Sequence, residues 1–107
     1  MEAAATVRRY YEALDDHDYG TLESLLAPEF VQRRPDRTFE DRTAFVAFMR
    51  DGRPNPDTTH ELEAVVAEGD RVAARGRVLE SETELFAFAD FFTLEDGRIV
   101  RLETYAR

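Results

Sequence analysis

A chain of 107 residues with 43% hydrophobic content holds enough apolar material for one core and no room for a second domain, and its longest apolar run, Leu85 to Leu94, is interrupted by Asp90 well short of the roughly 20 residues that cross a bilayer. The 23 acidic residues outnumber the 14 basic ones, for a formal charge of −9; such a field repels nucleic-acid phosphate and anionic lipid, so neither nucleic acid nor membrane is an expected partner. Cysteine is absent and histidine occurs only as His17 and His60, which removes disulfides, thiolate nucleophiles and thiolate metal sites, and with no HxH, HExxH or DxDxDG spacing no metal site is predicted.

Every basic residue is Arg, and Ile and Asn occur once each. Acidic excess without Lys resembles the cytoplasmic proteins of salt-accumulating halophiles. The start, Met1 to Ala5, lacks the positive and long apolar regions of a secretory signal, which predicts a cytoplasmic protein.

In chain order, Ala3, Val7, Tyr10, Tyr11 and Leu14 recur at three- and four-residue steps and predict an amphipathic helix. Asp15-Asp16-His17-Asp18 breaks it, and Leu22, Leu25 and Leu26 predict a second, shorter helix that stops before Pro28. Glu29 to Gln32 reads as a short strand, and Arg33 to Arg37, broken by Pro35, as a loop. Phe39 to Met49 carries Ala44, Phe45, Phe48 and Met49 in helical register, and the Gly and Pro of Asp51 to Pro56 end this third helix. Four strands follow, at His60 to Glu68, Arg71 to Glu80, Glu84 to Leu94 and Ile99 to Tyr105, with turns at Gly69-Asp70 and Asp96-Gly97. Three helices followed by antiparallel strands make one α+β domain spanning residues 1–107, with a curved sheet over the helices.

This order, with VRRYYEAL at Val7 to Leu14 and FFTLEDGRIV at Phe91 to Val100, resembles the cone-shaped nuclear transport factor 2-like superfamily over nearly the whole chain. Within it, Glu68-Gly69-Asp70-Arg71-Val72-Ala73 and the hairpin ending Gly97-Arg98-Ile99 are most similar to SnoaL-like polyketide cyclases and steroid delta-isomerases. The architecture hosts isomerases, cyclases, dehydratases, hydrolases and non-catalytic binders, so the resemblance is specific for fold and weak for activity. In the steroid isomerase branch, catalysis uses a carboxylate base and an oxyanion hole built from a Tyr and a protonated Asp. The resemblance places that Tyr at Tyr10 and that Asp at Asp90. It places the base at Arg34, which cannot serve as one, so steroid-type isomerisation is implied only if Asp36 takes that part.

Strand alternation puts Asp90 in one row with Phe86, Phe88, Phe92 and Leu94, where a carboxylate must be protonated, hydrogen-bonded or paired with Arg75 or Arg77 on the neighbouring strand. Arg75 and Arg77 share a row with Ala73 and Leu79. Either this row faces the cone interior, giving a cationic cavity suited to a carboxylate, enolate or phosphate, or the row of Val72, Ala74, Gly76 and Val78 does and both arginines are solvated or lie at a subunit interface. His60 begins a row with Leu62, Ala64 and Val66 and reads as a rim residue. The resemblance sets Arg34 and Asp36 at the cavity mouth.

Two functions compete. One is a cofactor-independent isomerase, cyclase or lyase moving a proton on a compact apolar carbonyl compound, with Asp90 and Tyr10 catalytic and Arg75, Arg77, Phe88, Phe92, Arg34, Asp36 and His60 binding the ligand. The other is a non-catalytic dimeric ligand-binding or protein-interaction module of the same fold, with Asp90 neutralised by Arg. A homodimer packed through the sheet is expected in both, because Leu85, Ala87, Ala89, Phe91 and Thr93 form a second apolar row that three helices on one face cannot cover.

Overall fold

The computed structural model describes residues 2–107. Helix α1 (Ala3–Asp15) buries Val7, Tyr10, Tyr11 and Leu14, the stripe its spacing predicts. It ends where His17 enters the left-handed region at φ 57°, so that the Asp18 N–H closes back on the Ala13 carbonyl at 2.9 Å. The Asp18 carboxylate then caps α2 (Tyr19–Leu25) by accepting the Thr21 N–H at 3.1 Å. Helix α3 (Arg42–Ala47) is capped in the same way by Asp41, which accepts the Ala44 N–H at 2.7 Å. Both caps are short acidic side chains one residue ahead of an apolar periodic segment.

The strands are β1 (Leu26–Arg33), β2 (Thr38–Phe39), β3 (Thr59–Glu68), β4 (Arg71–Glu80), β5 (Thr83–Glu95) and β6 (Arg98–Ala106). They form a six-stranded sheet in the order β2-β1-β6-β5-β4-β3. Neighbours run antiparallel except β1 and β6, which are parallel. The helices cover one face, and Phe30, Phe45, Phe92, Leu22, Leu26, Ile99 and Leu102 fill the space between, all fully buried. The α+β class and the curved sheet over three helices are as the chain pattern predicts.

Boundaries differ at three places. β1 starts at Leu26 and runs through Pro28, several residues ahead of the expected strand, because pairing with the parallel neighbour β6 begins at Leu26 opposite Ile99. Phe39 belongs to β2 and not to a helix. The third helix is correspondingly short, and its last turn widens into a π-helical turn at Phe48–Gly52, a geometry frequent at functional sites.

Three single-residue bulges in the antiparallel pairs bend the sheet. Glu63 in β3 is skipped in the pairing with β4, Leu85 in β5 in the pairing with β4, and Val100 in β6 in the pairing with β5, and each extra residue tightens the local twist. The Glu63 bulge also reverses the phase of β3. His60 and Leu62 face inward as expected, but beyond the bulge Val65 packs against the core while Val66 stands in solvent. Gly76 lies beside this bend, where a Cβ would come within 2.2 Å of the Glu61 carbonyl oxygen. Only glycine lets β3 cross that closely.

Candidate active site

The inner row of β5 holds Phe88, Asp90, Phe92 and Leu94, all buried, while Phe86 rises half-exposed at the rim. Asp90, 5% exposed, lies opposite Ala74 of β4 and Thr104 of β6. The row of β4 that faces inward is therefore Val72, Ala74, Gly76 and Val78. This corrects one of the two expectations for Arg75 and Arg77. Both lie on the outer face, Arg75 70% exposed beside Glu63 at 3.7 Å and Arg77 paired with Glu61 at 2.5 Å and Glu84 at 3.3 Å. They neither enter the cavity nor neutralise Asp90.

Tyr11, not Tyr10, meets Asp90. The Tyr11 hydroxyl donates to Asp90 Oδ2 at 2.5 Å, in a buried contact. The neighbouring Tyr10 packs edge-on against Phe92 at 5.4 Å and lies parallel to Phe45 at 6.3 Å. Its hydroxyl has no hydrogen-bond partner among the described residues, and the ring lines the cavity. Consecutive helical residues are about 100° apart, and the docking angle of α1 turns the second of them toward β5.

Asp90 Oδ1 is buried without a hydrogen-bond partner among the described residues. Thr104 lies across the ladder and its hydroxyl favours the charged carboxyl, but the geometry falls short of a bond, and Thr104 Oγ1 instead accepts from Gln32 Nε2 at 2.9 Å. Burial pushes the Asp90 carboxyl upward, against the opposing pull of the Tyr11 and Thr104 hydroxyls, His60 and Arg34. Burial, followed by the nearby Asp90 charge, also raises Tyr10 and Tyr11. Both phenols are thereby kept as proton donors.

A dyad overlooked in the sequence completes this wall. Asp15, the last residue of α1, accepts from the His60 backbone N–H at 3.0 Å through one carboxylate oxygen and holds His60 Nδ1 at 2.6 Å through the other. That contact fixes the tautomer with the proton on Nδ1, leaving Nε2 with its lone pair when the ring is neutral. The His60 ring lies 5.1 Å from the Tyr11 ring and 5.6 Å from Phe88. In sequence Asp15 reads only as a helix breaker.

These groups surround a cavity of about 470 Å³, within the range that small-molecule sites occupy. Tyr10, Tyr11, Phe88, Asp90 and His60 line it, and Arg34 and Asp36 line it too, paired with each other at 3.2 Å. Phe92 lies behind the wall, in contact with both tyrosines. The π-helical turn contributes Phe48 and Met49, and Arg53 follows directly after it. Among the described residues no group of three or more His, Asp or Glu side chains is placed to hold a metal ion, and no helix is long and apolar enough to cross a membrane.

Comparison with solved structures reproduces this architecture. A candidate ketosteroid isomerase from Kribbella flavida superposes with a TM-score of 0.88 at 18% identity, covering 98% of this chain and 77% of that one. A candidate polyketide cyclase from Sinorhizobium meliloti gives 0.81 at 22% identity, over 94% of each chain. An LEH-like epoxide hydrolase from M. tuberculosis gives 0.81 at 18% identity, over 98% of this chain and 82% of that one. At these identities the likeness shows the fold. No curated protein matches the chain. The profile of the SnoaL-like domain matches residues 7–102, nearly the full length, and the chain belongs to the SnoaL-like domain family.

Proposed function

We propose that the protein is a cofactor-independent enzyme of isomerase or cyclase type that moves a proton on a compact, largely apolar carbonyl compound. The observation that carries this reading is the buried Tyr11–Asp90 contact at 2.5 Å on the wall of a cavity that also presents His60. A neutral Asp90, favoured by its burial, is a hydrogen-bond donor. Together with the Tyr10 hydroxyl it would stabilise negative charge developing on a carbonyl oxygen. Tyr11 keeps the carboxyl oriented through Oδ2. The base is His60, oriented by Asp15: Nε2 takes a proton from the carbon beside the carbonyl, the enolate oxygen rests on the Asp90 and Tyr10 donors, and the proton returns at the same or another carbon. This assignment replaces the carboxylate base that has no counterpart at Arg34.

Exchange of α-protons of 2-tetralone and acetophenone in D2O, followed by proton NMR, tests the reading. Exchange above the buffer rate is expected for the native protein and strong loss for His60→Gln and Asp90→Leu. As Asp90 ionises with rising pH the donor is lost, so the rate should fall on that limb. No exchange with either ketone, together with no binding of either, would favour the non-catalytic module.

The outer sheet face supports a homodimer on either reading. Val66, Ala73 and Phe91 align across β3, β4 and β5, and Tyr105 meets Phe91 edge-on at 5.8 Å. Val66 is 66%, Phe91 50% and Tyr105 55% exposed, a stripe bordered by the Arg75–Glu63 and Arg77–Glu61 pairs. A symmetric pair of such faces would remove it from water.

A further inference from the structure

The cavity wall carries one cation without a carboxylate partner among the described residues, and it is neither of the arginines that strand alternation singles out. Arg53 leaves the π-helical turn half-buried at the cavity wall. Its Nε donates to the Met49 carbonyl at 2.8 Å and its Nη2 to the Tyr19 hydroxyl at 2.9 Å. Both acceptors are neutral. Among the described residues no carboxylate comes within 4.0 Å of this guanidinium, whereas the other arginine of the cavity, Arg34, is held by Asp36 at 3.2 Å. Arg53 is thus a fixed, partly desolvated cation with no counter-charge, on a protein whose net charge of −9 offers carboxylates almost everywhere else. Both arginines line the cavity together with Tyr10.

A guanidinium held by two bonds with its remaining N–H donors free is pre-organised to receive a planar anion at little entropic cost. Resting on the proton-transfer reading above, we infer that Arg53 binds the carboxylate of the substrate, and that the site takes a compact carbonyl compound bearing an acid group, such as a keto acid or an acyl-substituted aryl carboxylate. The carbonyl lies at the Asp90 and Tyr10 end and the carboxylate at the mouth.

The test compares 4-acetylbenzoate with its neutral amide, 4-acetylbenzamide, by titration calorimetry. A charge-assisted contact of this kind discriminates by about tenfold or more, so the native protein is expected to bind the acid at least about tenfold more tightly than the amide. Arg53→Gln should abolish that preference while leaving amide affinity in place. Since Arg53→Gln also loses the bonds to Met49 and Tyr19, Arg53→Lys is the second variant, and it should keep a preference for the acid because it keeps the charge. Equal affinity for acid and amide in the native protein, or a preference that survives Arg53→Gln, overturns the carboxylate site and leaves the proton-transfer reading standing. Failure of both compounds to bind overturns the two together.

Discussion

Replacing Tyr11 by Phe deletes one hydroxyl and leaves the ring, so its effect isolates a single contact. Among the described residues the Tyr11 hydroxyl is the one hydrogen-bond partner of a carboxyl that is 5% exposed, since Oδ1 has none. The variant leaves both Asp90 oxygens unpartnered in an apolar row. A hydrogen bond to a charged group contributes about 1.5–3 kcal/mol and one to a neutral group about 0.5–1.5 kcal/mol. The loss should therefore depend on pH. Burial raises Asp90 above its unfolded value, so its favourable contribution is complete below the unfolded pKa and fades as pH rises through the folded one. The Tyr11 bond opposes that fading by favouring the charged form. Tyr11→Phe should thus cost about 1 kcal/mol at low pH and about 2–3 kcal/mol at high pH, each kcal/mol lowering Tm by about 4–8 °C in a domain near this size. Urea denaturation at several pH values measures it. Two controls sharpen the result. Tyr10→Phe, whose hydroxyl has no partner among the described residues, should stay within about 0.5 kcal/mol of native. Adding Asp90→Leu to Tyr11→Phe should recover most of the loss, because removing both polar partners removes the orphaned group as well. A Tyr11→Phe loss below about 0.5 kcal/mol at every pH, or one equal to that of Tyr10→Phe, refutes the argument.

Other outcomes follow from the same geometry. Carbon-13 NMR of the Asp90 carboxyl should show a pKa above that of an ordinary aspartate, and a normal or lowered value would remove the neutral-donor role. Gly76→Ala should destabilise by at least about 2–3 kcal/mol, since the obstacle 2.2 Å from the new Cβ is backbone and cannot rotate away; equilibrium unfolding decides it. Multi-angle light scattering should give a dimer whose association strengthens with salt, because Glu80, Glu82 and Glu84 are exposed at the β4–β5 turn and their repulsion is screened. Phe91→Asp should give a monomer, and a native monomer at high salt and micromolar concentration would contradict the sheet-to-sheet packing.

Legibility in the sequence tracked how local each cause is. Period-two alternation along β5 placed Asp90 correctly among Phe88, Phe92 and Leu94, and Asp96-Gly97 marked its turn, with both residues at positive φ as a tight hairpin requires. The β4–β5 turn had no such signal, because Ser81 and Glu82 adopt positive φ without glycine. The phase of β3 beyond Glu63 was illegible because Ala64, Val65 and Val66 are all apolar and a one-residue bulge leaves no compositional mark. Tyr10 and Tyr11 both lie on the buried stripe, so choosing between them needs the docking angle of α1, which periodicity does not contain. Asp15 and His60 are 45 residues apart, and Arg53 sat within punctuation that announces only the end of a helix.

The long reach of these contacts has a consequence for how the protein folds. Tyr11 and Asp90 are 79 positions apart, whereas β3, β4, β5 and β6 are joined by successive hairpins whose pairings close over short stretches of chain. Contacts of high sequence separation close late, after loop entropy has been met by nearer ones. The meander should therefore form first, with α1 seating onto it near the end, so that the cavity comes into being only in the final step. Since the chain has no Trp, the near-ultraviolet dichroism of its tyrosines would follow that step, with the signal removed by Tyr11→Phe reporting the moment the helix locks onto the sheet.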